Sequence, residues 1–135
     1  EALHKIAECV HKRSLIIIFT DLMNLVDNTN GFTNALQHLR YNKHEVILFH
    51  VCDKDKEIEL NFDNSPRRFI DMETGEQIKA TPLQLKEHYS QKMQELVTQI
   101  KTQCNNLQTD FVQADINKGF DQVLLPYLLK RSRLK

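Results

Sequence analysis

The chain has 135 residues, with 18 basic and 18 acidic side chains and no formal net charge at pH 7. This length suits a single domain, and a composition that is 41% hydrophobic and 27% charged is ordinary for a globular protein. The charge balance gives no electrostatic support for binding nucleic acid or an anionic membrane. No apolar run reaches the length that a membrane span needs.

The first predicted elements are a helix and a strand. Leu3, Ile6, Ala7 and Val10 recur at helical spacing, with no N-cap residue before them. The following run, Leu15–Thr20, holds five consecutive large apolar residues, so we expect a central parallel strand that is covered on both faces. Because α/β sheets collect their chemistry at the carboxyl ends of their strands, Asp21 is the first candidate site residue.

A second helix and a second strand complete a βαβ unit, whose crossover we expect to be right-handed. The helix shows an apolar face made of Phe32, Ala35, Leu36 and Leu39. The strand is predicted over 45–52, and it too is apolar enough to be buried.

Residues 53–81 differ from the rest of the chain. A charged turn containing Asp53 and Asp55 is followed by two short strand-like segments on either side of Gly75. A glycine can adopt the left-handed conformation of a short hairpin loop, so we expect a small β-hairpin appended to the carboxyl side of the sheet.

The last third of the chain predicts a long helix, an edge strand and a closing helix. Thr81, Pro82 and Gln84 form a helix start of the capping-box type. The strand over 110–114 is more polar than the others, as is typical of a sheet edge. In the closing helix, Pro126 should cause a kink or an interruption. Phe120, Val123, Leu124, Tyr127 and Leu128 are expected to face inward, and Lys130, Arg131, Arg133 and Lys135 to suit the negative end of the helix dipole.

The three cysteines, Cys9, Cys52 and Cys104, are widely spaced and form no Cys-x-x-Cys pair. All three fall on apolar helix faces or at the end of an apolar strand. We expect them to be buried and reduced, which indicates a cytoplasmic protein.

Three segments carry a resemblance to a known family. They are Lys12-Arg13-Ser14-Leu15-Ile16-Ile17-Ile18-Phe19-Thr20-Asp21, with the helix before it, and His44–Asp53 followed by Phe69-Ile70-Asp71-Met72-Glu73-Thr74-Gly75-Glu76. In this combination the chain resembles a bacterial family of unknown function with a von Willebrand factor A-like domain, often encoded beside MoxR-type AAA+ ATPases. The resemblance covers essentially the whole chain.

The resemblance implies a doubly wound, Rossmann-like, mostly parallel sheet. It also implies a metal-ion-dependent adhesion site that is built from three loops, of which the third carries an aspartate matched here by Asp21. No Asp-x-Ser-x-Ser motif of the first loop occurs in the chain, and the threonine loop is expected just before Glu1. We therefore expect residues 1–135 to be the C-terminal part of one such domain, with an incomplete metal site, no cofactor of its own, and Mg²⁺ in the full-length protein.

The resulting hypothesis is a non-enzymatic protein-interaction module, partnered with a MoxR-type AAA+ ATPase and dependent on a shared divalent metal. The alternative is a Mg²⁺-dependent hydrolase or phosphoryl-transfer enzyme that uses Asp21 and Asp53 at the strand ends. Because three parallel strands make a thin sheet, we also expect that Leu15–Phe19 lacks neighbours in this chain. An edge of this kind favours a homo-oligomer through strand pairing.

Overall fold

The computed structural model describes residues 2–25, 29–61, 65, 67–70, 74–80 and 82–133. Its helices are α1 (Ala2–Cys9), α2 (Thr29–Tyr41), α3 (Pro82–Asn106) and α4 (Phe120–Ser132). Its strands are β1 (Leu15–Thr20), β2 (Glu45–Cys52), β3 (Arg67–Ile70), β4 (Gln77–Ala80) and β5 (Asp110–Asp115). None of the helices in the described part of the chain is long and apolar enough to cross a membrane.

The main sheet is parallel, with the strand order β1-β2-β5. Leu15 pairs with Glu45, and Ile47 pairs with Asp110, so β2 lies at the centre. Helices flank the sheet, which confirms the prediction of an α/β, Rossmann-like protein. The expected edge position of the 110–114 strand is also confirmed, since β5 is an outer strand.

Within the described residues β1 forms the other edge of the sheet, as expected for Leu15–Phe19 in this chain, but the expectation that both of its faces are covered is wrong. Its exposure alternates: Ile16 and Ile18 pack against the core, while Leu15, Ile17 and Phe19 are 45%, 48% and 68% exposed. A continuous apolar run predicts burial of both faces, but one face of β1 is left uncovered here.

The core lies between the sheet and the first three helices. Val46 and Leu48 of β2 face it, together with a stripe of α3 that contains Met93, Leu96 and Ile100. The predicted apolar face of α2 is confirmed, because all four of its residues, Phe32, Ala35, Leu36 and Leu39, are buried. Helical periodicity predicted this face correctly since residues spaced by three and four positions share one side of a helix.

The opposite face of the sheet is only partly covered, by α4. No residue of α4 is buried, and Phe120 and Leu128 are 72% and 54% exposed, so the expectation that they lie inside is wrong. Between α4 and the sheet lies an open groove of about 560 Å³. Its lining is almost entirely apolar: Leu15, Ile17, Phe19, Ile47, Phe49, Phe120, Val123, Leu124, Tyr127 and Leu128, with Arg131 as the one charged residue.

The strands β3 and β4 pair antiparallel in a two-stranded sheet of their own; residues 71–73 between them, and Thr81 of the predicted capping box, lie outside the described residues. The α4 helix continues through Pro126 without interruption.

Cys52 and Cys104 are buried, but Cys9 is exposed, because it is the last residue of α1 and lies beyond the packed part of that helix.

Candidate functional site at the carboxyl edge of the sheet

Asp21 follows β1 directly and is exposed. Its Oδ1 accepts a hydrogen bond from the Met23 backbone N–H at 3.1 Å, while the Thr20 hydroxyl accepts one from Leu22 N–H at 3.1 Å. These two contacts turn the chain sharply, and Leu22 adopts a φ of 64° while its side chain is fully buried. The carboxylate of Asp21 therefore shapes the turn and also remains accessible to a partner.

His50 lies on the neighbouring strand, opposite Thr20 in the register of β1 and β2. It is fully buried, and its ring centroid is 6.3 Å from that of Phe111 on β5. Burial lowers the pKa of His50, and the backbone and negative charge of Asp21 act in the opposite direction without cancelling that effect. His50 is thus a buried imidazole that lies close to Asp21 on the adjacent strand.

Asp53 follows β2 and belongs to a second group of polar residues. It is 7% exposed, and its Oδ1 accepts hydrogen bonds from the Lys56 backbone N–H at 3.1 Å and from Asn117 Nδ2 at 2.8 Å. The Lys56 ammonium lies 3.6 Å from its other oxygen. Burial alone would raise the pKa of Asp53, but these hydrogen bonds and the charge of Lys56 lower it below its usual range.

The polar residues around Asp53 also connect β2 to β5. Asp115, at the end of β5, accepts hydrogen bonds from the Asn117 backbone N–H at 3.1 Å and from Lys54 N–H at 3.5 Å. Asp53 and Asn117 therefore join the turn after β2 to the turn after β5. This arrangement supports a structural role for Asp53, and Asp55, the other predicted acidic residue, is exposed in the same turn.

The fit of a metal ion can be judged from these donors. Mg²⁺ prefers several oxygen ligands in octahedral geometry. Within the described residues no group of three or more histidine, cysteine, aspartate or glutamate side chains could hold a metal ion, and the Asp53 carboxylate already accepts hydrogen bonds from Lys56 and Asn117. Asp21 is exposed, but a single carboxylate does not fit a magnesium site.

The basic end of α4 makes ion pairs within the chain. Lys130 Nζ lies 2.7 Å from Asp110 Oδ1, and Arg131 Nη1 lies 2.6 Å from Glu45 Oε1. Arg131 also donates a hydrogen bond to the Tyr127 hydroxyl at 2.9 Å. These contacts attach the end of α4 to β2 and β5, which agrees with a structural role for this cluster.

Two of these contacts could not be found by sequence reasoning. Asn117 belongs to a polar turn with no motif around it, and its bond to Asp53 spans 64 positions. His50 sits within an apolar run, and the only available signal was that its position pairs with a residue next to Asp21 if the strands are aligned.

No family model matches this chain, and comparisons with curated proteins and with solved structures also find no match.

Proposed function

We propose that this chain is a protein-interaction module whose contact surface centres on Asp21. One observation carries the proposal: Asp21 is exposed, and the apolar side chains two positions before and after it, Phe19 and Met23, are exposed as well. Aromatic residues and methionine are enriched at protein interfaces, and a charge within such a patch selects for a partner of opposite charge.

The proposal includes the von Willebrand factor A-like fold and the appended hairpin formed by β3 and β4. Its partner, a MoxR-type AAA+ ATPase in the cytoplasm, is proposed from the resemblance alone. The contact is proposed without a metal, because no group of side chains among the described residues could hold a metal ion. Binding of Mg²⁺ by this chain alone is therefore expected to be weak or absent.

The enzymatic alternative has less physical support. A hydrolase that used Asp21 and Asp53 would need Asp53 available as a base or a ligand, whereas its carboxylate is buried and bonded to Lys56 and Asn117. The described residues also show no nucleophile paired with a base. We therefore propose a binding function and no catalysis.

The test is titration calorimetry of the chain with a MoxR-type ATPase from the same genome, in the presence of Mg²⁺ and again with a chelator. Asp21→Asn should weaken binding by about tenfold, which corresponds to about 1.4 kcal/mol. Asp121→Asn, which removes another exposed carboxylate on α4, is the matched control and should bind normally. Equal binding by the two variants would contradict a contact centred on Asp21.

A further inference from the structure

Among the described strands β1 pairs only with β2, so its other edge presents backbone groups in a regular pattern without a strand partner there. Glu45 N–H donates a hydrogen bond to Ser14 C=O at 3.0 Å, and the parallel register continues from there. Because backbone direction alternates along a strand, the N–H and C=O groups of Leu15, Ile17 and Phe19 point away from β2. The side chains of the same three residues line the groove under α4.

On the face of the sheet opposite the groove, the helix nearest the open edge of β1 is α1. Asn42, just after α2, donates a hydrogen bond from Nδ2 to Ala7 C=O of α1 at 2.8 Å, and His4 of α1 lies 3.0 Å from His38 of α2. On the other flank of α2, the Thr33 hydroxyl bonds to Gln103 of α3. Since α3 lies against β5, α1 lies on the side of α2 that is nearest the open edge of β1.

We propose that the β1 edge is a docking site for one extended strand of a partner polypeptide, added to the sheet beside β1. Three properties of the site define the occupant. The free backbone groups require a strand, the groove requires apolar side chains at alternate positions, and the charged ends of β1 require complementary charges. Lys12 and Arg13 are exposed at one end of β1 and Asp21 at the other, so the occupant carries an acidic group beside the first pair and a basic group beside Asp21.

A second copy of this chain fits the edge less well. It would bring its own α1 and α2 to the side where α1 already lies, whereas a single strand needs only the space between α1 and the groove. The inference rests on the proposed function insofar as the chain is a module that binds protein. The docking site shares Phe19 and Asp21 with the proposed contact surface but extends along β1 to Leu15 and Ile17, and it is tested without the ATPase.

The probe is the peptide acetyl-Lys-Thr-Val-Thr-Val-Thr-Val-Thr-Glu-amide, titrated into the full chain by calorimetry. Two derivatives, N-methylated on all valine amides or on all threonine amides, serve as controls. Only alternate N–H groups of an added strand face β1, so one derivative should lose binding and the other should keep it. Failure of the unmethylated peptide to bind, or equal binding by both derivatives, would overturn the proposal.

Amide exchange measured by NMR locates the bound peptide. At a peptide concentration of about 100 times Kd, exchange at Leu15, Ile17 and Phe19 should slow by up to about a hundredfold. The variant Ile17→Lys, which puts a charge into the groove, should abolish binding, and Ile116→Lys, at another exposed isoleucine that lies outside the groove, should not. Circular dichroism checks that both variants are folded, and protection elsewhere with no change along β1 would refute the assignment.

Discussion

At the scale of single residues, the two strand-end aspartates differ in what holds them. Asp21 is exposed and makes one hydrogen bond to the following turn, whereas Asp53 is buried and bonded to both Lys56 and Asn117. The first is suited to contact a partner and the second to stabilise the fold. Their different roles follow from their surroundings, since both come directly after a strand.

Asp53→Asn should lower the thermal unfolding temperature at pH 7, because the folded protein holds the pKa of Asp53 below its ordinary value. A carboxyl whose pKa is lower in the folded than in the unfolded protein contributes its full stabilisation at pH values above the unfolded-state pKa of about 3.9. That stabilisation is lost as the pH falls through the lower, folded-state pKa. The difference between wild type and variant should therefore shrink in acid. Asp55→Asn, in the same turn, is the control, and an equal effect of both would contradict this role.

The three thiols should differ in reactivity. Burial raises the pKa of Cys104 to about 11 and also raises that of Cys52, so neither forms the reactive thiolate readily at pH 8. Cys9 is exposed. Titration with Ellman's reagent should detect one fast thiol in the native chain and all three after denaturation, and Cys9→Ser should remove the fast one. A fast thiol that remains in Cys9→Ser would show that the core opens readily.

At the scale of elements, α4 is the least well packed helix of the described chain. None of its residues is buried, and it is attached mainly through the ion pairs of Lys130 and Arg131. Pro126 lies in its interior, where it cannot donate the hydrogen bond that Gln122 C=O would accept. The helix forms in spite of this local penalty, and its C-terminal end is held by ion pairs to β2 and β5.

Pro126→Ala should raise the free energy of unfolding by on the order of 1–3 kcal/mol, since it restores a helical hydrogen bond and removes a steric clash. Pro126 is exposed, so the substitution leaves no cavity. Urea unfolding measures the change. Gln122→Ala, at another exposed position of α4, should shift stability by less than about 0.5 kcal/mol. A destabilised Pro126→Ala variant would show that the proline ring itself contributes packing.

At the scale of the whole molecule, one face of the sheet is packed against helices and the other is partly uncovered. The face toward α1, α2 and α3 is packed, whereas the groove and the β1 edge leave apolar surface open to solvent. The sequence predicts a homo-oligomer that forms through β1, and this stays a prediction. Because α1 lies near this edge, we now expect the isolated chain to be a monomer instead.

Sedimentation across a concentration series measures the association state. Antiparallel pairing of two β1 strands about Ile17 would place Arg13 of one copy opposite Asp21 of the other. An Ile17→Cys variant, made in a Cys9→Ser background, would then form an intermolecular disulfide, because directly paired residues lie about 5.5 Å apart. Leu15→Cys is the matched control, since it would lie several residues from its own copy. A dimer that cross-links only through position 17 would overturn the docking of a partner strand.

The sequence by itself determined the α/β class and most element boundaries. The strand predicted over 45–52 is β2, and the apolar face of α2 was predicted residue by residue, because strand and helix periodicities are local properties of the chain. Asp21 was likewise found from its position after an apolar run. Three features could be seen only in the folded chain: one face of β1 stays open, His50 lies beside Asp21, and Asn117 holds Asp53. These features depend on strand order, register and helix placement, which are set by contacts between residues far apart in the sequence.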